Sequence, residues 1–243
     1  MRKIQFLIIF VLLCFFSTVA LSVNDENKKS PSLFKQQEVA QKFELQTGDL
    51  LFQDLDCGTL CNGIGQVTYG VDNTYMSHVG IVDKKMNSKP VVIEAISQGV
   101  VETPLSTFLA RSHDKNGDPM VLVGRLKPQY QKLIPSAIDY SRKQIGKPYN
   151  ASFIPNNGQS FYCSQLVYFA FTHANHNKSI FQQNQMNFTD SKSKQMTAAW
   201  KEYFDQLKVK PPQGKIGTNP GLMSRESNIL IVHKYGQLRV HKN

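Results

Sequence analysis

Short segments rich in valine and isoleucine fill much of the first half of the chain, whereas apolar residues recur at helical spacing in the second half. Residues 77–83 and 91–96 have the length and the β-branched content of strands. Residues 135–145 and the segment that follows Cys163 have the spacing of amphipathic helices. Strands that precede helices are typical of the α+β class, so we expect a mainly antiparallel sheet packed against helices.

The same signals place the remaining elements and the domain boundaries. We predict further strands at residues 49–52, 100–103, 120–126 and 229–233, and further helices at residues 104–111 and 197–207. Residues 23–47 are predicted to be a lead-in with a short helix at 33–45, and residues 48–243 to be the domain itself. A chain of 243 residues with 41% hydrophobic content is long enough for one domain with a sizeable core.

Residues 1–22 have the layout of a signal peptide. Arg2 and Lys3 precede an apolar run at residues 4–16, and the small residues Ala20 and Ser22 follow it. The run is shorter than the roughly 20 residues of a spanning helix. We therefore expect an exported protein that is periplasmic or secreted. The alternative is that the segment is retained as an N-terminal membrane anchor.

The cysteine content separates one thiol from the others. Removal of the signal peptide takes away Cys14 and leaves Cys57, Cys61 and Cys163, an odd number in an oxidising compartment. Cys57 and Cys61 are a possible disulfide pair, because a turn that contains glycine can bring their Cα atoms within the roughly 4.4–6.8 Å that the bond needs. Cys163 is then the unpaired thiol. No metal-ligand spacing links these cysteines with the histidines, so we expect neither a metal nor another cofactor.

The chain is basic, with a formal net charge of +10 that falls to +8 when Arg2 and Lys3 leave with the signal peptide. Nucleic acid is a common partner of basic proteins. However, the lysines near the C-terminus are dispersed and form no block with interleaved aromatic residues, and export also argues against nucleic acid. We expect instead a peripheral association with an anionic envelope surface. The oligomeric state is not predicted.

Cys163 is expected to begin a helix, because Leu166, Val167, Ala170 and Phe171 follow it at helical spacing. Unpaired backbone N–H groups and the positive end of the helix dipole favour the thiolate, which is the nucleophilic form of cysteine. The alternative is that Cys163 is an inert residue of the core.

Histidine is the usual base beside a cysteine nucleophile, and His78 is the best placed of the six histidines. His173 and His176 lie at least ten residues along the helix that Cys163 begins, which is about 15 Å at 1.5 Å per residue. The remaining histidines lie in polar or terminal segments. The alternative for His78 is a histidine of the core with no catalytic part.

The strand after His78 carries Glu94 between apolar neighbours, where a buried charge needs a partner. A three-residue loop at 85–87 would pair Lys84 with Ser88. The antiparallel register that follows places His78 directly opposite Glu94. A slip of one residue would move Glu94 to the other face of the sheet and break the pairing.

Six short runs, taken in order, carry a resemblance to a known family. They are Gly48-Asp49-Leu50-Leu51-Phe52, Asp56-Cys57-Gly58-Thr59-Leu60-Cys61, Ser77-His78-Val79-Gly80-Ile81-Val82, Val92-Ile93-Glu94-Ala95, Gly146-Lys147-Pro148-Tyr149 and Tyr162-Cys163-Ser164-Gln165-Leu166-Val167. Over residues 48–231 the chain resembles the YaeF/YiiX group of permuted papain-like amidases, relatives of the NlpC-like cell-wall peptidases. The resemblance implies a circularly permuted papain-like fold and a triad of cysteine, histidine and a polar residue, which Cys163, His78 and Glu94 would carry here.

Two positions depart from the pattern of that family. Asn150 stands where the family often has Asp after Pro-Tyr, and Gln165 stands where Glu commonly follows Cys-Ser. Neither residue belongs to the triad, but both can change substrate preference.

The expected function is that of a cysteine amidase or peptidase acting on an amide or peptide of the cell envelope. The thiolate of Cys163 would form a thioester that water releases. The backbone N–H of Cys163 is the first expected oxyanion donor, and Tyr162 is a candidate second donor or substrate contact. One alternative is a lipid-directed thiol acyltransferase or esterase, which an apolar groove beside Cys163 would favour. The other is a non-catalytic binding module on the same fold.

Overall fold

The computed structural model describes residues 43–55, 61, 63–64, 67, 69–86, 88–190 and 193–241. The chain from Phe43 onward forms one compact unit. The predicted signal peptide lies outside the described residues and stays a prediction. Of the predicted short helix at 33–45, only residues 43–45 are described, and they are not helical. Phe43, which lies before the predicted domain start at residue 48, stacks on His233 with 4.1 Å between ring centroids. In the described part of the chain, no helix has the length and apolar content needed to cross a membrane.

The secondary structure follows the predicted order. The strands are β1 (Leu50–Gln53), β2 (His78–Asp83), β3 (Val91–Ile96), β4 (Gly99–Pro104), β5 (Val121–Leu126), β6 (Asn184–Gln185), β7 (Ile216–Gly217) and β8 (Ile229–Lys234). The helices are α1 (Leu105–Leu109), α2 (Pro128–Gln131), α3 (Ile134–Lys143), α4 (Cys163–Ala174), α5 (Ala198–Leu207) and α6 (Pro220–Ser224), and a 3₁₀ turn spans Val71–Asn73.

Each strand and helix predicted for residues 48–241 is present, with ends that differ by at most two residues. One detail is corrected: Pro104 ends β4 in an extended conformation, with φ −53° and ψ 136°, and precedes α1 instead of opening it. The short elements α2, α6, β6 and β7 were not predicted, because two to five residues are too few to show a periodicity.

Six strands form one antiparallel sheet in the order β4-β3-β2-β1-β5-β8. β6 and β7 pair separately. The sheet and the helices that pack on it confirm the predicted α+β class with a mainly antiparallel sheet.

Each face of the sheet has its own hydrophobic core. The larger core joins strand residues to helix α4, and it includes Phe52, Val79, Ile81, Ile93, Leu166, Val167 and Phe171. The smaller core on the other face includes Leu51, Val82, Val92, Val121 and Phe108 of α1. The alternation of side chains along β1, β2 and β3 therefore sends successive residues to two different cores. Helix α4 packs on the first face and α1 on the second.

The pairing of β2 with β3 differs by two residues from the predicted register. The pairs are Ile81 with Ile93, Val82 with Val92 and Asp83 with Val91. Gly80, and not His78, therefore comes opposite Glu94, and residues 84–90 connect the strands instead of a three-residue loop. A shift of two residues keeps His78 and Glu94 on the same face, where they are diagonal neighbours within reach of long side chains.

Gly80 leaves the space that this diagonal contact needs. A Cβ at Gly80 would lie 2.4 Å from Cγ1 of Val92 and 3.3 Å from Cβ of Glu94. We expect Gly80→Ala to lower the free energy of unfolding by about 1–3 kcal/mol, because a methyl group must displace packed neighbours in a sheet. Urea unfolding followed by circular dichroism measures this change.

Gly117→Asn is the control for that substitution. Gly117 is exposed, has nothing within 4 Å of an added Cβ, and has a φ of +86°, in the left-handed region that asparagine tolerates. A smaller loss of stability is expected there. Equal losses at the two sites would contradict the close approach at Gly80.

Candidate active site

Cys163 is the first residue of α4, and it is a free thiol with 7% of its surface exposed. The side chain of Gln165 accepts a hydrogen bond from the backbone N–H of Tyr162 at 3.4 Å, which helps to fix the helix start. Backbone N–H groups in the first turn of a helix have no helical partner. The thiol therefore lies where the partial positive charge of the helix is concentrated.

His78 joins Cys163 to Glu94. It is the first residue of β2 and is 5% exposed. Its Nε2 lies 2.6 Å from Oε2 of Glu94, and its ring lies close enough to Cys163 for that side chain to help raise the pKa of His78. Because the carboxylate engages Nε2, Nδ1 is the ring nitrogen left for the thiol. The structure thus brings together the three residues that the sequence proposed as a triad.

Electrostatics keep both partners of this histidine–carboxylate pair charged. Burial alone would lower the pKa of His78, but its interactions with the side chains of Cys163 and Glu94 raise it from 6.5 to about 9. Burial alone would raise the pKa of Glu94, but hydrogen bonds from His78 and Arg111 lower it from 4.5 to about 2. Near neutral pH the site therefore holds an imidazolium against a carboxylate.

Two residues that the sequence did not identify donate further hydrogen bonds to the carboxylate of Glu94, whose surface is 0% exposed. Arg111 donates from Nη1 to Oε2 at 2.7 Å and from Nη2 to Oε1 at 2.5 Å. Thr103 in β4 donates from Oγ1 to Oε1 at 2.5 Å. A glutamate in an apolar strand signalled that a partner was needed, but nothing in the sequence marks Arg111 among 28 basic residues.

Cys163 opens onto a partly open pocket. Aromatic and aliphatic side chains line much of it, including Ile64, Val67, Phe153, Met186, Phe188 and Trp200. Its polar lining is uncharged and includes Ser77, Asn184, Asn187, Thr218 and Asn219. Within the described residues no charged side chain lines this pocket, so its character is that of an apolar groove beside the thiol.

Tyr162 lines the same pocket, immediately before Cys163. Its hydroxyl accepts a hydrogen bond from the backbone N–H of Thr218 at 3.1 Å, and its ring packs edge-on against Phe153 with 5.4 Å between centroids. These contacts favour the predicted role of a substrate contact over that of an oxyanion donor. Either role stays a prediction.

Tyr149 also lines the pocket beside Cys163, and the sequence assigned it no role beyond its motif. Burial, together with the charge of Cys163, raises the pKa of Tyr149 well above 10. Its phenol therefore keeps its proton at physiological pH and can donate a hydrogen bond.

The two departures from the family pattern lie in contact with each other. Asn150 and Gln165 are both buried, and Nδ2 of Asn150 donates to Oε1 of Gln165 at 3.4 Å. The same amide of Asn150 donates to the carbonyl of Ile154 at 2.9 Å. The two departures therefore form one neutral pair that braces the start of α4.

The other predicted site features have these outcomes. Cys61 is disulfide-bonded, and its predicted partner Cys57 lies outside the described residues, so the pairing stays a prediction. In the ranges that the structure describes, no group of three or more His, Cys, Asp or Glu side chains is placed to hold a metal ion.

A family model described as permuted papain-like amidase enzyme, YaeF/YiiX, C92 family, matches residues 44–233. The chain belongs to this family. The resemblance predicted from the six short runs is therefore confirmed. Membership supports a hydrolase of the cysteine amidase or peptidase type.

A solved structure agrees with the family assignment. The chain is similar to a protein described as metalloprotein yiiX from Escherichia coli O157:H7, with a TM-score of 0.63 and 23% sequence identity. The match covers 80% of this chain and 100% of the other chain. At this identity the likeness shows the fold, which is the permuted papain-like fold that the sequence predicted. No curated protein matches the sequence.

Stability should depend on pH through His78. A histidine with a raised pKa stabilises the folded state below its unfolded value of 6.5, and that contribution is lost as the pH rises through about 9. The difference in unfolding free energy between the wild type and His78→Gln should therefore shrink from pH 6.5 to pH 9.5, as measured by urea unfolding. A difference that stays constant over this range would contradict the raised pKa.

Arg111 should influence the pH at which kcat/KM falls on the alkaline side, which is the basic limb of the pH profile. In Arg111→Met the charge of Glu94 acts on His78 without a second cation, so the pKa of His78 should rise and the basic limb of kcat/KM should move to higher pH. Arg111→Lys keeps the charge and should lower activity without moving that limb. Arg142→Met, which breaks a similar two-bond pair with Asp83 at the other end of β2, is the control. A uniform loss of activity at all pH values would mean that Arg111 acts on folding alone.

Proposed function

We propose that this chain is an exported cysteine hydrolase that cleaves an amide bond of a cell-envelope substrate through a thioester intermediate. The observation that carries the proposal is the convergence of Cys163, His78 and Glu94, with His78 hydrogen-bonded to Glu94 and Cys163 lining a pocket. Export is supported by the signal-peptide layout of residues 1–22. The net charge of +8 after removal of that segment supports a peripheral association with an anionic envelope surface.

The first half of the reaction forms the thioester. The sulfur of Cys163 attacks the carbonyl carbon, and the carbonyl electrons move to the oxygen. When that oxyanion collapses, the carbon–nitrogen bond breaks, and the leaving amine takes a proton from the His78 imidazolium. Glu94 holds Nε2 of His78, so that Nδ1 faces the reacting atoms.

The second half of the reaction returns the thiol. Neutral His78 takes a proton from water while the water oxygen attacks the thioester carbonyl. The carbon–sulfur bond then breaks, a carboxylic acid leaves, and the thiolate and imidazolium are restored. No oxidant or reductant is required in either half.

Two donors are proposed for the oxyanion. The backbone N–H of Cys163 lies in the first turn of α4 and has no helical partner. The hydroxyl of Tyr149 is the second donor, supported by its place in the pocket beside Cys163 and by its retained proton.

A second candidate function is transfer of the acyl group to an alcohol or amine instead of water, as in a lipid-directed acyltransferase or esterase. The apolar lining of the pocket favours it. It shares the first half of the mechanism, so the products of single-turnover reactions with and without added acceptors distinguish the two. A non-catalytic binding module would leave Cys163 unlabelled by iodoacetamide at neutral pH in the folded protein.

Removal of the triad side chains should separate their roles. Purified wild type and Cys163→Ala are incubated with envelope extracts, and released products are identified by mass spectrometry; the variant should release none. His78→Ala should lower kcat by about 10²–10⁴-fold, because proton transfer is lost. Glu94→Gln should lower it less, because the amide still holds the ring. Identical product profiles for wild type and Cys163→Ala would overturn the hydrolase proposal for those substrates.

Tyr149→Phe should lower kcat by about 10²–10³-fold with a smaller change in KM, because an oxyanion donor acts in the transition state. Tyr203→Phe is the control. Its hydroxyl donates to the carbonyl of Ala151 at 2.7 Å, and it does not line the pocket. A change in KM alone for Tyr149→Phe would assign the phenol to substrate binding instead.

A further inference from the structure

We infer that the surface around the mouth of the catalytic pocket docks on an anionic lipid bilayer, so that the site opens toward the membrane. This mouth surface consists of three exposed apolar side chains and three lysines: Ile154, Leu207, Ile216, Lys208, Lys210 and Lys215. The inference rests on the peripheral envelope association proposed above, and it names the face of the protein that makes the contact and the partner that it contacts.

The apolar part of the mouth surface is unusually exposed. Ile154 is 44% exposed, Leu207 is 37% exposed and Ile216 is 51% exposed. Single exposed apolar residues are common on protein surfaces. Apolar residues that collect at one place beside a functional site instead indicate a contact surface.

The segment that carries Ile154 lies on helix α5. The ring of Phe153 lies 6.0 Å from that of Tyr203, measured between centroids. The hydroxyl of Tyr203 donates to the carbonyl of Ala151 at 2.7 Å. Leu207 follows Tyr203 by one helical turn, so the two lie on the same side of α5. Ile154 and Leu207 therefore belong to one surface.

Ile216 borders the same surface from another segment of the chain. It lines a small cleft together with Pro155, the residue that follows Ile154. The carbonyl of Lys215 accepts a hydrogen bond from the backbone N–H of Met186 at 2.8 Å, and Met186 lines the catalytic pocket. The exposed apolar residues therefore lie beside that pocket and not on a remote face.

Unpaired lysines lie among these apolar side chains. Lys208 and Lys210 are exposed on either side of Val209, which packs against the hydrophobic cluster of α5. Within the described residues, neither of them nor Lys215 forms an ion pair. Residues 201–216 hold four lysines and two acidic residues, which gives a net charge of +2. This surface is therefore complementary to negative charge.

An anionic bilayer matches both properties of the mouth surface. Apolar side chains beside lysines are typical of protein surfaces that lie at a membrane interface, where the apolar groups reach below the headgroups and the lysines contact anionic lipids. A soluble anion would engage the lysines alone and leave the apolar side chains in water. Because the pocket lies beside this surface, a substrate anchored at the bilayer reaches Cys163 without leaving the interface.

The other candidate for a membrane contact is the loop between β2 and β3, at the opposite end of the sheet from the catalytic site. Met86 on this loop is 91% exposed. However, Lys84 is paired with Glu44. Lys85 is paired with Glu102 at 3.3 Å. Less positive charge is therefore free beside Met86 than on the mouth surface.

The first test measures binding to vesicles. It uses the chain from residue 23, the predicted mature form, because the apolar residues 4–16 would bind lipid by themselves; the removed residues lie outside the compact unit that begins at Phe43. Cys163→Ala protein is sedimented with vesicles of phosphatidylcholine alone or of an equimolar mixture with phosphatidylglycerol. We expect binding to the anionic vesicles only, and we expect added salt to weaken it.

Substitutions in the same background test the two parts of the surface. Lys210→Gln should lower the partition coefficient for anionic vesicles about fivefold, which corresponds to about 1 kcal/mol per lysine. Its control is Lys132→Gln, since Lys132 is exposed and follows α2. Ile216→Gln should lower the coefficient about tenfold because an apolar contact is lost, and Ile216→Leu should retain binding. Its control is Met86→Gln.

Hydrogen exchange followed by mass spectrometry locates the contact without any substitution in the mouth surface. Addition of anionic vesicles should slow exchange in residues 152–157 and 207–217, and not in residues 84–90. Protection of residues 84–90 alone would overturn the inference. So would a loss of binding in Met86→Gln that Ile216→Gln does not show.

The outcomes separate this inference from the proposed function. Hydrolysis of an amide by protein that binds neither kind of vesicle overturns the docking inference and leaves the hydrolase proposal standing. Binding to anionic vesicles with the expected pattern of variants, together with no hydrolysis of any amide, supports the docking surface and counts against the hydrolase.

Discussion

The buried carboxylate of Glu94 is the interaction on which the rest of the site depends. A carboxylate with none of its surface exposed is stable in the charged form only when donors surround its oxygens. Those donors are His78 in β2, Thr103 in β4 and Arg111 after α1. The sheet order β4-β3-β2, with α1 packed against one face, brings all three to one residue of β3. The strand order that forms the sheet therefore also brings the residues of the site together.

The predictable part of this structure is the part that local patterns determine. Alternation and β-branched content located the strands, and apolar spacing located α3, α4 and α5. The same strand alternation predicted the contact between His78 and Glu94, because side chains on neighbouring strands can meet only when they lie on the same face of the sheet. The predicted register was wrong by two residues, yet the pairing survived because the side-chain period of a strand is two. Gly80 makes the diagonal contact possible, and its role was visible only in three dimensions.

The part that could not be predicted depends on contacts between distant segments. Arg111 follows a five-residue helix, and only the packing of that helix against the sheet directs its guanidinium to Glu94. Met186 and Phe188 are isolated apolar residues in a polar stretch of the sequence, and they form part of the pocket lining by packing with Trp200 of α5. Neither of these contacts produces a recognisable spacing in the sequence, because each depends on the tertiary packing of distant segments and not on the periodicity of one element.

Charge balance connects the site to its pocket. When Cys163 is a thiolate, the charges of Cys163, His78, Glu94 and Arg111 alternate in sign and cancel. A buried set of charges that cancels needs no counterion from its surroundings, so an uncharged pocket is compatible with an ionised site. The neutral amides of Asn150 and Gln165, which lie beside the start of α4, add no charge to this set. A bound substrate that excludes water from the pocket would increase the attraction between thiolate and imidazolium without adding a charge.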